Sequence, residues 1–135
     1  MITLIIVDCQ VDFIWGSMSV NGAAKAVENI VSYIERNKKL IGKVIFTADW
    51  HPIKHCSFIE NGGQWPEHCV NYTTGASIAT SLIRVVEDSN ILYSVYFKGQ
   101  NAYMEEYGAF AEADCKKPDT PILINRDVTI NLNTD

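Results

Sequence analysis

Three apolar runs in this chain each end in a charged residue. Thr3 to Val7 is followed by Asp8, Lys43 to Ala48 by Asp49, and Asn90 to Phe97 by Lys98. The first is continuous and rich in β-branched side chains, the pattern of a strand buried on both faces, as in a parallel sheet. Between the first two runs, from Asn21 to Leu40, apolar residues recur at Val27, Ile30, Val31 and Ile34. That is helical spacing, with Asn21 placed to cap the helix and Gly42 to stop it. Strand, helix and strand make a βαβ unit with a right-handed crossover. In an open parallel sheet, ligands bind in the crevice beyond the carboxyl ends of the strands. Asp8, Asp49 and Lys98 are therefore expected on one rim.

The remaining segments fill out an α/β domain. Residues 50–76 carry Pro52, Gly62, Gly63, Pro66 and Gly75 with little periodicity, which reads as a long loop, and long loops in compact domains are usually functional. Ser77 to Glu87 gives a short helix and Met104 to Ala113 a weaker helical stretch, while Pro121 to Ile124 and Val128 to Leu132 are strand-like. A length of 135 residues suits a single domain. The 47% hydrophobic and 20% charged composition excludes a disordered or low-complexity chain. A formal charge of -5 is the wrong sign for neutralising phosphates, so no nucleic-acid partner is expected. No apolar run approaches the ~20 residues of a membrane span, and no basic leader precedes the first strand. These features favour a cytoplasmic protein without a membrane partner. The four cysteines, Cys9, Cys56, Cys69 and Cys115, lack C-x-x-C spacing and read as reduced thiols without a catalytic role.

All three histidines, His51, His55 and His68, fall within one 18-residue stretch that begins two residues after Asp49. Asp49 and His51 are one residue apart, so at an extended strand end both project to the same side, and His68 can return to them across the loop. Two imidazoles and a carboxylate form a site for one divalent metal ion, zinc, iron or manganese, with positions left for water or substrate. The competing reading is solvated loop histidines beside a turn-capping Asp49; the clustering of three histidines favours the metal. Asp8 and Lys98 pair as a structural salt bridge or, beside a metal loop, as an acid/base couple. Phe13, Trp65, Tyr103 and Tyr107 are candidates to wall a pocket for a flat ligand.

The segments Leu4-Ile-Ile-Val-Asp-Cys-Gln-Val-Asp-Phe13, Thr47-Ala-Asp-Trp-His-Pro52, His55-Cys-Ser-Phe58, Gln64-Trp-Pro-Glu-His-Cys69, Phe97-Lys-Gly99 and Glu105-Glu-Tyr-Gly-Ala-Phe110 resemble the nicotinamidases of the isochorismatase-like cysteine hydrolases. The resemblance runs in order from residue 3 to about residue 110, and the pairing of D-x-H with W-P-x-H-C is what points to the metal-binding nicotinamidases within that family. It implies an α/β, three-layer fold with a mainly parallel sheet, and hydrolysis of nicotinamide to nicotinate and ammonia in NAD salvage. By resemblance Asp8 is the catalytic acid/base and Lys98 its cationic partner. Asp49, His51 and His68 are the metal ligands, and Phe13, Trp65 and Tyr107 the substrate pocket. His55 matches a histidine that ligates the metal in some members and supports it in others.

In the family a nucleophilic cysteine follows the lysine, within a stretch like G-x-x-x-D-x-C-V, and no such stretch occurs in residues 1–135. The resemblance therefore implies one isochorismatase-like domain, C-terminally incomplete, that stops before the nucleophile. Two alternatives follow: a catalytically inactive fragment that binds metal or nicotinamide, and an isochorismatase-like hydrolase of another small substrate. A sheet ending there would leave an unpaired strand edge and an uncovered apolar face, which favours association into a homo-oligomer.

Overall fold

The structure is a computed structural model that describes residues 1–109, 111–114 and 117–123. Cys115, Ile124 and the strand-like stretch 128–132 lie outside them. Three parallel strands, β1 (Ile2–Val7), β2 (Ile41–Asp49) and β3 (Leu92–Lys98), form a sheet in that order, with β2 central. The register sets Val7 against Thr47 and Asp49 against Lys98. The charged strand ends thus lie side by side, as the three apolar runs require.

Helices α2 (Ala23–Asn37) and α3 (Thr80–Asp88) cover one face of the sheet. Val27 and Ile34 of α2 and Leu82, Val85 and Val86 of α3 join Ile6, Val44 and Phe46 in a single buried cluster. Ile34, Val44 and Leu82 are completely inaccessible to solvent. Helix α2 is shorter than its periodicity suggests. Gly22, with φ +82°, stands at its N-terminal boundary instead of Asn21, and the helix ends at Asn37. Gly42 does not stop the helix: it lies inside β2. Apolar periodicity reports which side of a segment meets the core, and it continues past the point where the backbone leaves the helix.

Two other expectations are overturned. Strand β1 is not buried on both faces: Ile5 is 58% and Val7 62% exposed, while Ile6 between them is buried. Among the described residues β1 pairs only with β2 and is packed on one face only. Nothing among the described residues covers Ile5 and Val7, which form the kind of uncovered apolar face expected from the sequence. The stretch expected to be weakly helical is extended instead. Strand β4 (Met104–Gly108) pairs antiparallel with β5 (Ala111–Asp114), which pairs antiparallel with β6 (Lys117–Leu123). The apolar spacing there was thin, and tertiary pairing decides such segments.

Residues 50–76 do form the long loop. It carries two single 3₁₀ turns, Ile59–Asn61 and Thr74–Ala76, and the short helix α1 (Val11–Ile14) contacts the second of them. Bridges between His51 and Val70 and between Phe58 and Trp65 fold it back on itself, which is how His68 returns to Asp49. No helix among the described residues is long and apolar enough to cross a membrane.

Candidate active site and metal centre

The site grows out of the three strand ends. Asp8 follows β1 in the left-handed region at φ +52°, a conformation that costs a non-glycine residue of order 1–2 kcal/mol and is tolerated best by Asp and Asn. Its backbone N–H donates to the Thr47 carbonyl at 3.0 Å, and the Thr47 hydroxyl donates to Asp8 Oδ1 at 2.7 Å. Asp8 Oδ2 is left 3.1 Å from Lys98 Nζ. Lys98 also donates to Asp49 Oδ1 at 2.5 Å and is only 3% exposed. Burial alone would lower its pKa, but the two carboxylates raise it, so Lys98 stays an ammonium.

Asp49 is held from behind by a side chain that motif reading passes over. Gln10, completely buried, accepts the Asp49 N–H through Oε1 at 2.8 Å and donates through Nε2 to the Asp49 carbonyl at 2.7 Å and to the Ala76 carbonyl at 2.8 Å. All of its amide is spent on locking the end of β2 to the end of the loop.

The three sequence-derived metal ligands meet. His51 donates from Nδ1 to the Gly99 carbonyl at 2.8 Å, and His68 donates from Nδ1 to the Pro66 carbonyl at 2.8 Å. Both rings therefore turn Nε2 inward; burial would lower the pKa of His51, but the Asp49 carboxylate facing its Nε2 overrides this and raises it. These atoms lie 3.3 and 3.7 Å from Asp49 Oδ2. Metal–ligand bonds of about 2.0–2.2 Å in tetrahedral geometry space neighbouring ligand atoms by roughly 3.3–3.6 Å. His51 Nε2 is buried with only the Asp49 carboxylate facing it, at 3.3 Å and outside good hydrogen-bond geometry, a spacing that a cation between the two would satisfy. Carbonyl acceptors behind both imidazoles are the usual support of metal-binding histidines. The grouping of Asp49, His51 and His68 fits a divalent ion, which these three side chains could hold.

His55 is not arranged as a ligand. The Ser57 N–H donates to its Nδ1 at 3.3 Å with the Ser57 hydroxyl at 2.7 Å, and its Nε2 donates to the Met104 carbonyl at 2.9 Å. A second grouping of His51, His55 and Glu105 brings potential ligand atoms within 4.8 Å, but both nitrogens of His55 are already engaged. Burial, aided by the nearby His51, lowers its pKa to about 4, so it is a neutral brace whose ring stacks on His51 at 4.0 Å. Burial likewise lowers the pKa of His68. For Asp49, burial would raise the carboxyl pKa, but the His51 contact and the Lys98 charge override it and hold the group ionised.

A cavity of about 180 Å³ opens onto this rim. Asp8, Asp49, His68 and Lys98 line it, with Phe13 and Trp65 as apolar walls and Met18, Glu105, Glu106 and Tyr107 completing it. Phe13 packs on His68 with ring centroids 5.6 Å apart. Tyr107 is half exposed and its hydroxyl accepts from Trp65 Nε1 at 3.5 Å. Tyr103, the fourth aromatic candidate, is 80% exposed and not part of the lining. The two glutamates lie in a segment that carries the family resemblance, but that segment reads as a helix, so no role follows for them from the sequence.

The cysteines correct one expectation. Cys9 and Cys69 are free thiols, but Cys56 is disulfide-bonded, a pairing that isolated spacing does not reveal. Burial and the adjacent carboxylates raise the pKa of both free thiols, so neither is a ready thiolate. Among the described residues no cysteine lines the cavity.

Fold and site together define a parallel α/β domain with an acidic, metal-competent rim, and the comparison with known proteins agrees. The Isochorismatase domain model matches residues 3–91, and the chain belongs to that family. It is similar to the nicotinamidase of Saccharomyces cerevisiae, at 29% identity over 80% of this chain and 61% of that protein. It is also similar to the nicotinamidase of Acinetobacter baylyi, at 31% identity over 82% of this chain and 56% of that protein. Among solved structures it resembles the yeast nicotinamidase bound to the inhibitor nicotinaldehyde (TM-score 0.72, 28% identity, 82% of this chain and 62% of that one). It also resembles the pyrazinamidase of Pyrococcus horikoshii in complex with zinc (TM-score 0.64, 32% identity, 80% of this chain and 57% of that one). The chain spans between half and two thirds of the length of these relatives.

Proposed function

We propose that this chain carries the acid/base and metal-binding parts of a nicotinamidase-type amide hydrolase, whose reaction converts nicotinamide to nicotinate and ammonia. The observation that carries this reading is the convergence of Asp8, Lys98 and Asp49 with two inward imidazole Nε2 atoms on one cavity. A bound divalent ion would supply a Lewis-acid contact for a heteroaromatic nitrogen or a carbonyl oxygen. The protein's own groups do the rest. Asp8, anchored by Thr47 and Lys98, is placed to take a proton from an attacking group and return it to the leaving nitrogen. Lys98, 3.1 Å away, fixes the position of that carboxylate. Phe13 and Trp65 would clasp a flat ring. The structures of relatives with nicotinaldehyde and with nicotinate support a small aromatic ligand.

A second reading is favoured by one observation: no cysteine lines the cavity among the described residues. On it, this polypeptide binds metal and nicotinamide without turning the amide over. Ammonia release and nicotinamide binding, measured side by side on zinc-loaded protein, separate the two. Turnover that Asp8→Asn abolishes supports the hydrolase. Saturable binding with ammonia at background supports the binder, and neither binding nor release overturns both.

A further inference from the structure

Behind His51 stands a buried carboxylate that the proposed chemistry does not use. Glu106, on β4, is 3% exposed, and its Oε2 accepts the Gly99 N–H at 2.9 Å. The carbonyl of the same Gly99 accepts the Nδ1–H of His51 at 2.8 Å. Glu106 therefore grips one side of a residue whose other side fixes the imidazole. Gly99 cannot be replaced in this arrangement. Its φ is +68°, and a Cβ there would lie 2.3 Å from His51 Cε1 and 2.6 Å from Nδ1. Glycine's freedom makes such a residue a poor anchor unless something else holds it. Here the holding group is Glu106, whose backbone carbonyl also lies 3.4 Å from Lys98 Nζ.

We propose that Glu106 is a positioning residue. By fixing the Gly99 backbone it keeps His51 in the Nδ1–H tautomer and aims the free Nε2 at a divalent cation shared with Asp49 and His68. This inference rests on the metal-site reading above and deepens it. Without the carboxylate, the turn after Lys98 loses its tether and the Gly99 carbonyl can swing away from Nδ1. The imidazole then has no reason to keep its proton on the outer nitrogen. Support behind a metal-binding histidine typically changes metal affinity by about 10–100-fold.

The test uses the full chain in three forms: wild type, Glu106→Ala and Glu106→Gln. Glutamine keeps an acceptor oxygen at the same reach, so it should rescue the geometry. Long-range proton–nitrogen spectra of histidine-labelled, metal-free protein, recorded at alkaline pH because Asp49 raises the His51 pKa, report the tautomer of the neutral His51 ring directly. Wild type and Glu106→Gln should show Nδ1–H, and Glu106→Ala a mixture with Nε2–H. Zinc competition against a chromophoric chelator should then give binding about 10–100-fold weaker for Glu106→Ala and within roughly threefold of wild type for Glu106→Gln. If Glu106→Ala does not fold, Glu106→Asp takes its place: it keeps the charge but draws the acceptor back from Gly99, and should behave as Ala would. A wild-type tautomer and wild-type zinc affinity in Glu106→Ala overturns the proposal, as does Glu106→Gln failing as badly as Glu106→Ala. Should no form take up zinc, the metal reading is what fails, and the tautomer comparison still decides the role of Glu106.

Discussion

Replacing Lys98 by methionine probes the electrostatic centre of the site. The side chain is 3% exposed and bridges Asp49 at 2.5 Å and Asp8 at 3.1 Å. Methionine has similar length and volume, so packing is largely kept and the change isolates the charge. Removing one partner of a buried ion pair leaves the other uncompensated and costs about 3–5 kcal/mol. Here two carboxylates lose a shared cation, and the buried Asp49 carries most of the penalty. In metal-free protein, urea denaturation should show Lys98→Met destabilised by about 3–5 kcal/mol with an unchanged dependence on denaturant. The penalty should shrink as pH falls through the carboxylate range. Asp49 has a lowered folded pKa in wild type, so its stabilising contribution is present above its unfolded pKa and is lost on acidification; a protonated Asp49 needs no cation. Zinc at 100 times its Kd adds about 2.7 kcal/mol to any form that binds it, and should restore part of the loss. The double variant Asp49→Asn/Lys98→Met should cost clearly less than the sum of the single changes. A penalty below about 1 kcal/mol, or strict additivity of the two changes, would refute the account of Lys98 as a buried counter-ion.

Other outcomes follow from neighbouring groups. His55 has a folded pKa near 4 against an ordinary value of about 6.5, so its contribution is complete above the upper figure and drains away as pH falls toward the lower. At 1.36 kcal/mol per unit the difference approaches about 3 kcal/mol, and His55→Gln should remove that share of the acid sensitivity seen in thermal melts. Phe46→Ala empties a side chain that is 1% exposed at the sheet–helix interface and should lower stability by about 3–5 kcal/mol in urea titrations. Gly75→Ala would place a Cβ 2.1 Å from the Asp12 carboxylate, whose Oδ2 accepts the Cys69 N–H at 2.8 Å. It should weaken zinc uptake by displacing the segment next to His68, which the same chelator competition reads out.

The parallel sheet and the rim were legible because strand ends are written in one dimension: an apolar run followed by a charge gives both the strand and the residue at its mouth. Asp8, Asp49 and Lys98 came together on that basis. His51 and His68 did so because three histidines shared one loop. What the sequence did not disclose is of another kind. Gln10 and Glu106 act through hydrogen bonds to the backbone of other segments, and no spacing rule reports such contacts. An uncovered apolar face was expected, but that Ile5 and Val7 of β1 form it was not, because they are the residue types of a strand buried on both faces. The β4 segment misled because a thin apolar pattern is settled by its partner strand. His55 could be assigned only from geometry, since the loop offers three histidines and the fold orients two toward Asp49.

The most direct test of the central claim is metal stoichiometry by elemental analysis after dialysis against a defined excess of zinc. Wild type and His55→Gln should retain one ion per chain, and His51→Ala and His68→Ala should retain little or none. Metal held equally by all four proteins, or by none, would contradict a site built from Asp49, His51 and His68.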